Sequence, residues 1–308
     1  MTKSPTIAAL FAVTVALACS AHAAATPPAT CSAEGKRITI VDEGTGPDVV
    51  LIPGLATPRA VWDATATRLK GKFRLHIVQI RGFGDDAGIN AQGPVLEPMM
   101  QEVADYIDDC ITDAGRPAPA IIGHSMGGLT GLMIAARAPQ EVGKLMVVDA
   151  VPFIGTLFSP AATVDAVRPQ AERMAAAMRA QADQPKPTAP VSDPGPASMA
   201  GGMSNTPAGR TAIAGWTRQA DARVTAQLFY DVMTTDIRGE LTKISAPVTL
   251  LYAQDDSVMP AAMAKAAFEP QYAGVAAFKA QMVPGSRHFI MLDQPDVFAA
   301  AVDAFLAP

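Results

Sequence analysis

The run Ala120-Ile121-Ile122-Gly123-His124-Ser125-Met126-Gly127-Gly128 passes, within nine residues, from a short apolar strand through a glycine-flanked serine into a helix start. A serine in this setting sits on a sharp turn with strained backbone. Side chains at 123 and 127 would collide with the adjoining strand and helix, so glycine at both positions has a steric reason. The turn lifts the Ser125 oxygen above a sheet, and the helix start offers backbone N–H groups to an oxyanion. Ser125 is the candidate nucleophile.

Outward from this turn, strands and helices alternate. Arg37 to Val41 alternates as a half-exposed strand would. Val49 to Ile52 is a continuous apolar run that stops at Pro53-Gly54. Leu75 to Ile80 ends in Arg81-Gly82-Phe83-Gly84, and Leu145 to Val148 ends at Asp149. Helical patterns are expected over 60–70, 95–114 and 126–138. Continuously apolar strands alternating with helices predict an α/β fold, with a mostly parallel sheet covered on both faces.

The alternation breaks between 152 and 240. An Ala- and Met-rich helix is expected over 161–182. Prolines at 185, 187, 190, 194 and 196 forbid regular structure in the next stretch. A second helical stretch follows over 208–234. The strand pattern resumes at Val248 to Tyr252, with a helix from Ala261, a strand over 278–283 and a last helix over 295–306. The expected organisation is a leader over 24–35, a core over 36–151, a helical insertion over 152–240 and the rest of the core over 241–308. Met174, Met178, Met199, Met203, Met233, Met259 and Met263 lie in or near the insertion. They suit an apolar substrate surface, but core filling is the reading expected for most of them.

A serine needs a base to take its proton. His22 falls in the signal peptide described below. His76 lies inside a strand, where a satisfied buried histidine is expected. His124 adjoins Ser125 across a tight turn and should point away from it. His288, in Gly285-Ser286-Arg287-His288-Phe289, follows the last strand on a loop and is the candidate base. A carboxylate must then orient the histidine. Asp255 and Asp256 follow the strand that ends near Tyr252, and Asp149 follows an earlier strand. All three keep the chain order Ser, Asp, His.

These motifs resemble the α/β-hydrolase superfamily, and within it the capped serine esterase and enol-lactonase-like branch. The G-H-S-M-G-G turn at 123–128 and the Gly-x-x-His-Phe at 285–289 carry the likeness, which covers most of the chain outside the insertion. The branch commonly has a proline four residues after its acid. Pro260 thus selects Asp256, although Ala253 stands where a glycine is usual. The resemblance also implies an oxyanion hole from the backbone N–H groups of Leu55 and Met126. Pro53 replaces a usual histidine nearby, and backbone donors are indifferent to that change. The insertion falls where the family carries its cap.

The expected activity is hydrolysis of a carboxylic ester or lactone of a small apolar substrate through an acyl-enzyme on Ser125. Amide, proline-type peptide or carbon–carbon cleavage on the same three residues is the alternative, and a non-catalytic binding protein is the reading from another class. No cofactor and no metal are expected: histidines and cysteines are scattered, and no phosphate-cradling loop is evident. No nucleic-acid partner is expected either, since there is no basic run.

Residues 1–23 read as a signal peptide. Lys3 precedes an uncharged apolar run over 7–18, and Ala21-His22-Ala23 supplies a cleavage site. That run is too short to span a bilayer, and the remainder of the chain offers no other span. Export to the periplasm or medium is expected. Cleavage leaves 23 basic against 29 acidic side chains, a net charge of −6, which bears on solubility rather than on fold. Cys31 and Cys110 remain as a candidate disulfide pair for an oxidising compartment.

Overall fold

The computed structural model describes residues 1–2, 33–185 and 188–307. The signal-peptide assignment and Cys31, and with it the expected pairing to Cys110, lie outside the described residues.

Seven strands form one sheet: β1 Ile38–Gly44, β2 Asp48–Ile52, β3 Arg74–Ile80, β4 Ala120–His124, β5 Lys144–Val148, β6 Val248–Gln254 and β7 Phe278–Pro284. Their order across the sheet is β1-β3-β2-β4-β5-β6-β7. Only β1 runs antiparallel to its neighbour. Every residue of β2 and β4 is buried, as continuous apolar runs require when helices cover both faces. Val49, Leu51, Ile122 and Val148 serve one side of the sheet, and Val50, Ile52, Ile121 and Val147 the other. Truncating any of these buried leucines or isoleucines to alanine would cost about 2–5 kcal/mol.

Helices follow the expected alternation with altered ends. They are α1 Asp63–Leu69, α2 Leu96–Ile107, α3 Met126–Arg137, α4 Val164–Arg179, α5 Met199–Met203, α6 Pro207–Gln219, α7 Ala222–Thr234, α8 Ala261–Phe268, α9 Ile290–Asp293 and α10 Pro295–Leu306. The expected helix over 95–114 keeps an α-helical body as α2 and then widens into a π-helical turn at Asp108–Thr112. The expected helix over 208–234 is two helices. Ala220 takes an extended ψ of 144°, and the Asp221 side chain accepts the Arg223 N–H to start α7.

The helices between β5 and β6 are fastened to the rest of the chain by polar contacts. Asp231 of α7 accepts the backbone N–H groups of Val95 and Leu96, both at 3.0 Å, and so caps α2 from another element. The Asp221 N–H donates to Gly82 O at 2.7 Å, beside a bridge between Phe83 and Ala220. Arg137 of α3 binds Glu97 and Glu240 together. Among the described residues, no helix is long and apolar enough to cross a membrane.

Candidate active site

Register places the candidate groups side by side. β4 and β5 pair with His124 opposite Val148, so the residues that follow, Ser125 and Asp149, emerge together at one end of the sheet. The Ser125 N–H donates to Val148 O at 2.8 Å. Ser125 has φ 54° and ψ −122°, and Asp149 has φ 51°. Both are non-glycine residues in left-handed backbone, a strain that persists only where the surroundings enforce it. The turn needs its glycines: a Cβ on Gly127 would lie 2.2 Å from Ile52 O, and one on Gly123 would lie 2.2 Å from Gly127 O.

His288 joins the two strand ends. Its Nε2 is 2.8 Å from Ser125 Oγ, and its Nδ1 is 2.7 Å from Asp149 Oδ2. The second oxygen of Asp149 accepts the Ala253 N–H at 2.8 Å, so both carboxylate oxygens are held. Asp149 and His288 are largely buried, with side chains 10% and 25% exposed.

The structure thus corrects the acid that the proline spacing selected. Asp256 is exposed and accepts from Gln254 Nε2 at 2.8 Å. It does not line the cavity above Ser125. The reason is local: the chain leaving β6 winds into a turn in which the Val258 and Met259 N–H groups donate to Asp255 O, and this turn faces Asp256 outward. Asp255 also serves elsewhere. It binds the Ser257 hydroxyl and backbone N–H and pairs with Arg287 at 3.0 Å. Those bonds, Ser257 foremost, hold its carboxyl down at about 2.

The remaining histidines have other roles. His124 Nε2 donates to the backbone carbonyl of His288 at 3.0 Å, and the ring is fully buried. Burial, reinforced by the neighbouring His288, holds its pKa well below the ordinary value, so the ring is neutral. His124 therefore supports the loop that carries His288. His76 is fully buried, as a satisfied strand histidine should be, and bonds to Asp42, Asp48 and Tyr106.

Above Ser125 lies a cavity of about 700 Å³ that Leu55, Met126, Asp149 and His288 also line. Met126 opens α3, whose first intrahelical bond runs from the Gly128 N–H to Ser125 O, so its own N–H precedes the helical ladder. Leu55 and Met126, the residues expected to supply the oxyanion donors, both line the cavity that holds the serine. Met174, Met178, Met199, Met203 and Met233 line it too. The expectation that most of these methionines fill core is overturned: five of the seven named above face this cavity, and Met259 and Met263 line a second groove. They come from helices separated by the proline-rich stretch, so their convergence is a tertiary effect.

No arginine, lysine or glutamate is among the described residues lining the cavity, and Asp149 is its one carboxylate. A cluster of acids that could approach a metal ion, Asp108, Asp109 and Asp113, lies at the end of α2 and does not line the cavity.

Comparison with known proteins agrees with the fold and geometry. A family model described as "Alpha/beta hydrolase family" matches residues 49–301. The chain is 27% identical over 289 residues to a pimeloyl-[acyl-carrier protein] methyl ester esterase of Nitrosomonas europaea, covering 87% of this chain and 98% of that one. In structure it is similar to the enol-lactonase from Burkholderia xenovorans LB400, with TM-score 0.65 and 19% identity over 87% of this chain and 96% of that one. It is also similar to a thermophilic esterase from Thermogutta terrifontis, with TM-score 0.67 and 20% identity over 87% and 92%. With most of its length matched by that family model and its mostly parallel seven-stranded sheet, this chain is a hydrolase belonging to the alpha/beta hydrolase family.

Proposed function

We propose that the protein hydrolyses carboxylic esters of small, neutral, apolar acids through an acyl-enzyme on Ser125. The observation that carries this reading is the unbroken chain Asp149–His288–Ser125 opening into a cavity with apolar walls. His288 Nε2 takes the Ser125 proton as the oxygen attacks the ester carbonyl, and Asp149 keeps the histidine in the working tautomer and stabilises its cationic form. The backbone N–H groups of Leu55 and Met126 receive the oxyanion. His288 returns the proton to the leaving alcohol. Water then attacks the acyl-enzyme by the reverse use of the same groups.

The walls favour a neutral substrate. A carboxylate or ammonium carried into the cavity would lose its hydration with no fixed opposite charge, beyond Asp149, to replace it. The same composition weighs against a peptidase that grips a free amino terminus, because Asp149 is already held on both oxygens. The esterase names of relatives support a carboxylic ester; a lactone is the second reading, supported by the name of one structural neighbour.

The test is hydrolysis of p-nitrophenyl esters from acetyl to dodecanoyl by the protein and by Ser125→Ala. Activity lost in the variant supports the nucleophile, and the preferred chain length sizes the cavity. An inactive protein whose Ser125 is still labelled by a fluorophosphonate would transfer the reading to lactones, amides or carbon–carbon bonds. An inactive and unlabelled protein would overturn it in favour of a binding role. We also propose export, on the sequence of residues 1–23 alone. Recovery of the protein from the periplasm or medium with an N-terminus at Ala24 supports this; an intact Met1 in the cytoplasm contradicts it.

A further inference from the structure

Met199 and Met203 of the inserted segment line the cavity, and the chain directly after them is bonded to the loop that carries His288. The bonds centre on one carboxylate. Asp293, the last residue of α9, accepts the Ser204 hydroxyl at 2.5 Å and the Asn205 N–H at 3.0 Å on Oδ1. On Oδ2 it accepts the Arg287 N–H at 2.8 Å and again the Asn205 N–H at 3.0 Å. Around it, the Phe289 N–H donates to Met203 O at 3.1 Å, Asn205 Nδ2 donates to Gly285 O at 3.2 Å, and Arg287 donates to Gly201 O. The Arg287 side chain is held in turn by Asp255 and Ser257 of the turn after β6.

Resting on the esterase reading above, the geometry points to Asp293 as a positioning residue that fixes the catalytic histidine and one wall of the substrate cavity to each other. Its carboxylate touches neither Ser125 nor His288. It orients the Arg287 amide, one residue before the base, and the Ser204–Asn205 backbone, one residue after Met203. Two separable consequences follow. Loss of the core-side bond misplaces His288 and slows the chemical step, because a small displacement of a proton-transfer group is costly. Loss of the Ser204 bond alone loosens the Met199–Met203 wall, which a longer acyl chain contacts more than a short one.

Steady-state kinetics on p-nitrophenyl butyrate and octanoate test this with Asp293→Asn and Ser204→Ala. The asparagine presents an NH₂ group to N–H donors and keeps the shape. It is expected to lower kcat at least tenfold on both esters, with KM within threefold. Ser204→Ala is expected to keep kcat within twofold and to raise KM at least threefold for octanoate but not for butyrate. A folded Asp293→Asn with kcat within twofold of the parent overturns the proposal. So does Ser204→Ala with an unchanged octanoate KM, which decides the matter if the Asp293 variant does not fold. A parent protein that hydrolyses neither ester overturns the esterase reading and this proposal together, whereas an active parent with unaffected variants overturns the coupling alone.

Discussion

His288 Nδ1 and Asp149 Oδ2 lie 2.7 Å apart across 139 residues of chain. The carboxylate that meets the histidine follows the strand next to the one leading into Ser125, one strand earlier than the Asp255–Asp256 pair. Asp149→Asn should therefore lower kcat by roughly 10³–10⁴-fold, because an amide facing Nδ1 favours the wrong tautomer. Asp256→Asn should leave kcat within about threefold, since its side chain is exposed and bonds to Gln254 rather than to His288. Ester hydrolysis by the two purified variants checks this. A larger loss in Asp256→Asn would return the role to the later strand.

The cavity walls make a prediction about charge. Methyl hexanoate and monomethyl adipate differ in that the adipate ester ends in a carboxylate. With no arginine or lysine among the described residues lining the cavity, the charged ester should show kcat/KM lower by roughly 100-fold or more at pH 7. Titration of the acid released would report both rates. Equal rates would mean that the acyl end reaches solvent.

Glycine positions separate a packed turn from an open helix. In Gly127→Ala the new Cβ would lie 2.2 Å from Ile52 O and 2.7 Å from Pro53 O, both backbone atoms that cannot yield cheaply. This variant should fail to accumulate as folded protein. Gly202→Ala in α5 meets nothing within 4 Å and should be neutral or stabilising by about 0.5–1 kcal/mol. Thermal unfolding of the two distinguishes these outcomes.

The buried network at His76 predicts a pH dependence of stability. Burial pushes the His76 pKa down, but its bonds to Asp42 and Asp48 outweigh this and hold it above 6.5. Burial likewise raises Asp42, and its bonds to His76 and Tyr106 bring it below 3.8. A raised histidine contributes stability that is complete below its unfolded pKa near 6.5 and is lost as pH rises through the folded value. The lowered aspartate contributes above 3.8 and fades as pH falls further. Tm should therefore fall on going from pH 6 to pH 9, and His76→Gln should flatten that slope. An unchanged slope in the variant would place the dependence elsewhere.

The sequence alone determined the architecture, because burial on both sheet faces writes itself as uninterrupted apolar runs such as Val49 to Ile52. It also offered Ser125 as the candidate nucleophile, since glycine at 123 and 127 has a steric reason, and His288 as the candidate base, since elimination left one histidine on a strand-end loop. It could not choose among Asp149, Asp255 and Asp256. All three keep the same chain order, and proline spacing reports on a local turn rather than on what faces a histidine. The pairing of His124 with Val148 made that choice by bringing Asp149 abreast of the serine. The same holds for the methionines, whose shared cavity is assembled from helices that are far apart in sequence. Local chemistry is written residue by residue, whereas which side chains meet depends on strand register and helix docking, properties of pairs of segments that no single segment contains.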